Sequence, residues 1–126
     1  MKKVIATPDA PKAVGPYSQA VAVGNLLFCA GQIPLDPATG ELVPGDTAAQ
    51  AERVLKNIQG VLAANDMTFS DVVKTTVFLV DLADFGKMNE VYGRYFSEPF
   101  PARSTIQVAA LPKGSSVEIE VTAARS

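Results

Sequence analysis

The charged side chains best placed to do chemistry lie in the last quarter of the chain, on two segments with strand-like alternation. In residues 103–110, Arg103 begins a series in which polar and apolar side chains alternate. In residues 117–123, Glu118 and Glu120 share the polar face of a second alternating series. Because strand side chains repeat every two residues, each segment presents its polar groups on one face. A guanidinium can bind a carboxylate through paired hydrogen bonds, and a carboxylate can move protons, so the pair could form an anion-binding site with a general base.

The same pattern has a simpler interpretation. The polar face of an antiparallel strand is usually the solvated side of a sheet. Arg103 and the two glutamates would then be cross-strand partners, a type of pair that contributes up to about 1 kcal/mol. The alternation alone does not separate this interpretation from a functional site.

Several other kinds of site are excluded by composition. The chain has no histidine and a single cysteine, Cys29, so it cannot supply a nitrogen and sulfur ligand set for zinc, a Ser-His-Asp relay or a Cys-His pair. The aspartates and glutamates are scattered along the sequence, which predicts no metal site. Cys29 lies in an early apolar segment and is predicted to be a small buried hydrophobic residue.

The length and charge of the chain indicate one domain, residues 1–126, with a formal net charge of −2. No segment is a run of lysine and arginine, so we do not expect nucleic-acid binding to be the main activity. The apolar residues after the basic amino terminus are too few for a signal peptide. The uncharged residues 13–35 are interrupted by glycine and proline and predict no membrane span. With one cysteine, the sequence predicts a cytoplasmic protein.

Hydrophobic periodicity in the first half of the chain predicts short strands and then a helix. A strand is expected at residues 4–6, and two more at 17–23 and 26–32 flank Gly24-Asn25, a dipeptide suited to a two-residue hairpin turn. Thr47 followed by Gln50 resembles a capping box. Apolar residues then recur at helical spacing up to Asn65-Asp66.

The second half predicts a buried strand, a second helix and the two alternating strands. Residues 72–80 are rich in β-branched side chains and suit the inside of a sheet. Asp81 and Asp84 can cap a helix and place charge in its first turn. Its apolar stripe is predicted to consist of Phe85, Met88, Tyr92, Tyr95 and Phe96. This order gives an α+β fold with both helices on one face of the sheet, and the uncovered face predicts self-association.

Short motifs spread over nearly the whole chain keep the order and spacing of a known family. In these motifs the sequence resembles the RidA family, also called YjgF or reactive-intermediate deaminases. The matching residues are Gly15-Pro16-Tyr17-Ser18-Gln19-Ala20, Gly31-Gln32-Ile33-Pro34, Val73-Lys74-Thr75-Thr76-Val77-Phe78, Asp84-Phe85 with Asn89 and Tyr92, Pro101-Ala102-Arg103-Ser104 with Ile106, Ala109 and Leu111, and Val117-Glu118-Ile119.

The resemblance implies a chorismate-mutase-like α+β fold with one mostly antiparallel mixed sheet. It also implies a homotrimer with three clefts between neighbouring subunits. The implied reaction is hydrolytic deamination of enamines or imines, such as the 2-aminoacrylate and 2-aminocrotonate released by pyridoxal-phosphate-dependent dehydratases, to 2-keto acids and ammonia. The deaminase itself would need no cofactor and no metal.

The resemblance also implies roles for particular residues. Arg103 would bind the substrate carboxylate, and Glu118 would orient and deprotonate the attacking water. Tyr17 would close the cleft from the adjacent subunit, and Gly31 would offer backbone groups through close approach. Asn89 would line the cleft, although a structural amide on a helix is an equal alternative.

Two departures from the family pattern bear on substrate and mechanism. Many relatives have cysteine where this chain has Thr105, and many have serine where it has Ala30. Thr105 keeps a hydroxyl on the face of Arg103 but cannot be a thiolate nucleophile, which favours attack by water. Glu120 is a supporting candidate for which an ion-pair or solvated role is equally compatible.

Two other functions compete with deamination. One is a non-catalytic sensor whose clefts bind a 2-keto acid or another small carboxylate. The other is single-stranded RNA cleavage or translational inhibition, which has been attached to some relatives. The acidic balance, the absence of histidine and the lack of a basic aromatic platform argue against RNA as a partner.

Overall fold

The predicted α+β fold is confirmed by the computed structural model, which describes residues 1–126. Six strands form one sheet, and two helices pack against it. Neither helix combines the length and apolar character needed to span a bilayer. The strands are β1 (Lys3–Ile5), β2 (Ala20–Val23), β3 (Leu26–Cys29), β4 (Val72–Leu79), β5 (Ala102–Gln107) and β6 (Val117–Ala124), and the helices are α1 (Thr47–Ala63) and α2 (Phe85–Tyr95).

The sheet is mixed, with strand order β1-β2-β3-β6-β4-β5. Neighbouring strands are antiparallel except β4 and β5, which are parallel and are therefore joined by a crossover that contains α2. The prediction that residues 72–80 lie inside the sheet is confirmed, since β4 lies between β6 and β5. The predicted hairpin at Gly24-Asn25 also forms, with Gly24 at φ +58°.

One face of the sheet and the two helices enclose the core. The alternation of β6 is realised in full, because Val117, Ile119, Val121 and Ala123 are buried beneath the helices at 0–2% exposure. Helix α1 packs on β6 and on α2. A cluster of 23 buried residues results, and burying their side chains is the main stabilising contribution.

The opposite face of the sheet, which we call the open face, carries apolar side chains in contact with solvent. The pairing register places Val4, Phe28, Phe78 and Ile106 on it, together with the polar side chains of β6. Val4, Phe28 and Ile106 remain 59%, 48% and 45% exposed. Such a patch on a sheet is typical of an interaction surface, so self-association stays a prediction with added support.

The predicted capping box at the start of α1 is wrong. The cap is Asp46, whose carboxylate accepts a hydrogen bond from Ala49 N at 3.0 Å. Because Asp46 already satisfies that donor, Thr47 becomes the first helical residue and is buried. The Thr47 hydroxyl lies 2.7 Å from Asp84 Oδ2 and 2.9 Å from Ser116 Oγ, which ties the start of α1 to the segments before α2 and β6.

Three strands are shorter than predicted by two residues or more. Strand β2 begins at Ala20, so Tyr17 lies in the preceding loop and not at a strand start. The loop is shaped by Gly15, whose φ of +115° favours glycine, and by a bond from Tyr17 N to Gly15 O. Strand β3 ends at Cys29 and β5 at Gln107, before the predicted residues 32 and 110.

Candidate active site

Arg103 on β5 stacks against two aromatic rings of α2. It pairs with Thr75 of β4, which places its side chain on the helix side of the sheet. The guanidinium carbon lies 4.7 Å from the centroid of the Tyr92 ring and 5.4 Å from that of Phe85. Such contacts are favourable for a cation and fix the plane of the guanidinium. No carboxylate lies within salt-bridge distance of Arg103, so its donors are available to an anion.

The rings that support Arg103 are themselves anchored. Tyr92 is 6% exposed, and its hydroxyl lies 2.8 Å from Thr75 Oγ1. Burial raises the pKa of the Tyr92 phenol, while the Thr75 hydrogen bond and the charge of Arg103 act in the opposite direction. The phenol therefore remains neutral beside the guanidinium.

Asn89 and Thr105 lie on either side of this cluster. Asn89 is half-buried on α2, one turn from both Phe85 and Tyr92, and its side chain has no hydrogen-bond partner within the chain. Thr105 follows Arg103 on the same face of β5. We call Phe85, Asn89, Tyr92, Arg103 and Thr105 the anchor half-site.

Glu118 lies on the open face, against Gly31. A side chain at Gly31 would clash, because an added Cβ would lie 2.1 Å from Glu118 Oε2. The Glu118 carboxylate is half-buried and forms no ion pair. Burial raises its pKa, and the neighbouring Glu120 carboxylate raises it further. A carboxyl group with a raised pKa and no fixed partner suits proton transfer.

Gly31 also offers a free backbone donor beside this carboxylate. Ala30 N donates to Gln19 O and Gln32 N donates to Ile119 O, each at 2.9 Å, whereas Gly31 N has no partner within the chain. Gly31 is a half-buried residue, and an N–H without a partner next to an unpaired carboxylate can bind a water molecule or a substrate oxygen. The predicted backbone role of Gly31 has this geometry as support.

A cavity of about 780 Å³ opens in front of Glu118 and Gly31. Tyr17 and Ala30 line it as well, and Tyr17 is 55% exposed in the single chain. We call Tyr17, Ala30, Gly31 and Glu118 the carboxylate half-site. Glu120, the supporting candidate, is exposed on the same strand and lies outside this cavity, where it acts on Glu118 through its charge.

The two half-sites lie on opposite faces of the sheet in one chain. Arg103 shares its face with Val121, whereas Glu118 and Glu120 share theirs with Phe78 and Thr76. A cross-strand ion pair between Arg103 and either glutamate, the simpler interpretation of the sequence, is therefore absent. No cluster of three or more candidate metal ligands occurs in the chain.

The sequence did not reveal how Phe85 and Tyr92 are used. The helical spacing predicts that both lie in the buried stripe of the second helix, but only Tyr92 is buried, and Phe85 is 40% exposed beside Arg103. Met88 and Phe96 are buried as predicted, and Tyr95 is half-buried. The missing signal was the parallel pairing of β5 with β4, which brings Arg103 beneath α2.

Fold and site together define a small α+β protein with an unpaired guanidinium on one face of its sheet and an unpaired carboxylate on the other. The sequence profile of the family described as Endoribonuclease L-PSP matches residues 7–125. The chain belongs to this family, the RidA (YjgF) family.

Individual relatives are similar over almost their full lengths. Protein DfrA of Myxococcus xanthus is 60% identical over 97% of this chain and 95% of that protein. The 2-iminobutanoate/2-iminopropanoate deaminase of Mus musculus is 52% identical over 98% of this chain and 91% of its own length. The crystal structure of Escherichia coli TdcF with bound serine superimposes with a TM-score of 0.93 at 46% identity, covering 98% of this chain and 99% of that one.

Proposed function

We propose that this protein hydrolyses imines of 2-keto acids, formed from enamines such as 2-aminoacrylate and 2-aminocrotonate, to the 2-keto acid and ammonia. The observation that carries the proposal is the Glu118 carboxylate, unpaired, raised in pKa and packed against Gly31 with its free N–H. The deaminases among the relatives support the same reaction. The serine bound to TdcF supports a site that accepts a small amino or keto acid.

Arg103 binds the substrate carboxylate in this mechanism. Its planar fork of donors matches a carboxylate through two hydrogen bonds, and the rings of Tyr92 and Phe85 hold the fork in place. Hydrogen bonds to charged groups contribute about 1.5–3 kcal/mol each, so this contact can supply most of the binding energy of a small substrate. Asn89 and Thr105 offer further polar contacts beside it.

Glu118 moves the protons. It takes a proton from a water molecule while the water oxygen bonds to the imine carbon, and the carbon–nitrogen π electrons move to nitrogen, giving a carbinolamine. The carboxyl group then returns the proton to nitrogen. Glu118 next carries the hydroxyl proton to the amine nitrogen, so the ketone forms as the carbon–nitrogen bond breaks and ammonia leaves. Because an imine carbon is already electrophilic, positioning and one proton carrier suffice, and no cofactor takes part.

The two half-sites have to come from different copies of the chain. Within one chain the sheet separates Arg103 from Glu118. We therefore propose a homotrimer in which the anchor half-site of one subunit faces the carboxylate half-site of its neighbour across each cleft. Tyr17 would then reach the substrate from the subunit that supplies Glu118, because both residues line one cavity of the same chain, and it would be the adjacent subunit's residue only with respect to Arg103. The exposed apolar side chains of the open face support burial between copies.

A sensor that binds a 2-keto acid without turnover would need Arg103 but would have no use for a general base. The raised pKa of Glu118 therefore favours the enzyme. RNA cleavage, to which the family description refers, is disfavoured by charge. It would place a polyanion against the Glu118 carboxylate, and Glu120 adds a second negative charge nearby.

The test couples the purified protein to a pyridoxal-phosphate-dependent threonine or serine dehydratase and follows imine loss where spontaneous hydrolysis is slow. We expect wild type to accelerate the loss, Arg103→Ala to fail through substrate binding, and Glu118→Gln to bind 2-ketobutyrate while losing turnover. Unaltered activity in either variant would contradict the assigned roles. Binding of 2-ketobutyrate without any acceleration by wild type would establish the sensor.

A further inference from the structure

Gln19 is a buried amide with every polar atom engaged. It is 4% exposed and lies at the edge of the cavity that contains Glu118. Its Oε1 accepts a hydrogen bond from Thr7 N at 2.7 Å, and its Nε2 lies 2.8–3.2 Å from the carbonyl oxygens of Thr7, Ala10 and Pro11. The Gln19 side chain thus supplies hydrogen-bond partners to the backbone of Thr7, Ala10 and Pro11, which lie outside any strand or helix.

These bonds hold the segment that carries Tyr17. Residues 7–18, which we call the strap, run from the end of β1 to the start of β2 without regular structure. Tyr17 lies at the carboxyl end of the strap. It lines the cavity together with Pro11, Lys12, Gly31 and Glu118. The position of the Tyr17 ring therefore depends on how the strap is fixed.

The main chain of Gln19 holds the other side of the same cavity. Its carbonyl oxygen accepts a hydrogen bond from Ala30 N at 2.9 Å, directly before Gly31. Side chain and backbone of one residue thus connect the strap to the Gly31 segment. All four side-chain hydrogen bonds of Gln19 go to backbone atoms of the strap, those of Thr7, Ala10 and Pro11.

We propose that Gln19 is a positioning residue, which fixes the strap so that Tyr17 stands over the Gly31–Glu118 side of the cleft. Its kinetic consequence rests on the proposed imine hydrolysis. When the Gln19 side chain is replaced by an apolar one, one N–H and three carbonyl groups of the strap lose their hydrogen-bond partner. The strap then moves toward solvent to hydrate these groups, and Tyr17 moves away from the cavity with it. Gln19 acts only through the strap and does not touch substrate.

The first experiment compares Gln19→Leu with Thr47→Val, a matched control that also loses buried hydrogen bonds but lies at the start of α1, outside the cavity. We expect the kcat/KM of imine hydrolysis to fall about tenfold in Gln19→Leu, since misplacing a group by about 1 Å can cost up to about 100-fold. Thr47→Val is expected to stay within about twofold of wild type, because its hydroxyl bonds only to Asp84 and Ser116, neither of which lines the cavity or belongs to a half-site.

The second experiment repeats Gln19→Leu in a Tyr17→Ala background. If Gln19 acts through Tyr17, the loss on substituting Gln19 shrinks to about twofold or less in this background. An undiminished tenfold loss there would overturn the proposal, because a general loss of structure does not depend on Tyr17. Gln19→Glu, which keeps the acceptor for Thr7 N and loses the donors, replaces Gln19→Leu if the latter does not fold.

Limited trypsin digestion tests the strap without any use of activity. Lys12 is an exposed trypsin site in the strap, and Lys2, which lies before β1, serves as an internal reference. We expect cleavage after Lys12 to be at least about tenfold faster in Gln19→Leu than in wild type, and unchanged in Thr47→Val, since proteolysis reports local opening. Equal rates in all three proteins would overturn the proposal even if imine hydrolysis is observed. If wild type hydrolyses no imine, the proposed function fails, while the digestion still decides whether Gln19 fixes the strap.

Discussion

Gly31 is a residue at which the site leaves no space for a side chain. Its backbone has a negative or extended φ, so the requirement for glycine is steric and comes from the Glu118 carboxylate. We expect Gly31→Ala to push Glu118 aside and to lower kcat by about 10- to 100-fold, a loss typical of a misplaced catalytic group. Steady-state kinetics of imine hydrolysis measures this loss.

The matched control is Gly93→Ala on α2, where an added Cβ meets nothing within 4 Å. This variant should keep full activity and gain up to about 1 kcal/mol of stability, because alanine replaces glycine in a helix. Equal kinetic losses in both variants would show that the close approach to Glu118 has no catalytic meaning.

Glu118 should set the acid limb of the pH profile. Its carboxylate form is the base, so kcat/KM rises with pH through its pKa, which burial and Glu120 hold above the usual range. Glu120→Gln removes the neighbouring negative charge and should move the midpoint of this limb to lower pH. An unmoved midpoint would mean that a group other than Glu118 is titrating.

The same raised pKa affects stability with a defined sign. The folded state binds the Glu118 proton more tightly than the unfolded chain, so the contribution of this group to stability is fully present below the pKa of the unfolded chain and is lost as pH rises through the raised pKa. Glu118→Gln stays neutral and escapes this loss. We expect its Tm to exceed that of wild type at neutral pH and to match it in acid. A lower Tm at neutral pH would show that the carboxylate is stabilised by a partner.

At the scale of elements, β5 and α2 form the support of the anchor. Tyr92→Phe and Tyr92→Leu both lose the hydrogen bond to Thr75, at a cost of about 1–3 kcal/mol for the hydroxyl left without a partner, but only phenylalanine keeps the ring beneath Arg103. We therefore expect the KM for imine, or the Kd for 2-ketobutyrate, to rise several-fold more in Tyr92→Leu than in Tyr92→Phe. Equal constants would show that the ring does not orient the guanidinium.

The alternation of β6 was readable from the sequence because each of its side chains is either in the core or on the open face. The alternation of β5 was visible too, but the direction of its polar face was not. Arg103 faces the helices because it pairs with the buried Thr75, and there the rings of Phe85 and Tyr92 meet its guanidinium. The proximity of Gly31 to Glu118 also escaped the sequence, since it depends on how the loop after β3 meets β6.

At the scale of the whole molecule, the division of the site between faces makes a test by subunit mixing possible. Arg103→Ala and Glu118→Gln are each expected to be inactive alone. Coexpressed with different affinity tags and purified through both, they should regain about a third of wild-type activity, because one of the three clefts in every mixed trimer receives an intact residue from each side. The measurement is kcat per cleft of doubly purified mixed assemblies.

Mixed assemblies without activity would mean that Arg103 and Glu118 must come from the same subunit. The control pairs Arg103→Ala with Thr105→Ala, two variants of the anchor half-site. No subunit of this mixture carries both wild-type residues, so no anchor half-site is intact and the activity per cleft should not exceed that of Thr105→Ala alone. A higher activity than that of Thr105→Ala alone would contradict the proposed division.

The two half-sites also differ in how far along the chain their parts must travel to meet. The anchor is contained in the β4–α2–β5 crossover, so its contacts are local in sequence, whereas Gly31 and Glu118 come from opposite halves of the chain. Short chain closures cost less entropy and form sooner. During refolding, amide protection in the crossover should therefore appear before protection of the Gln32–Ile119 bridge, so the polypeptide should be able to bind a carboxylate before it can hydrolyse an imine.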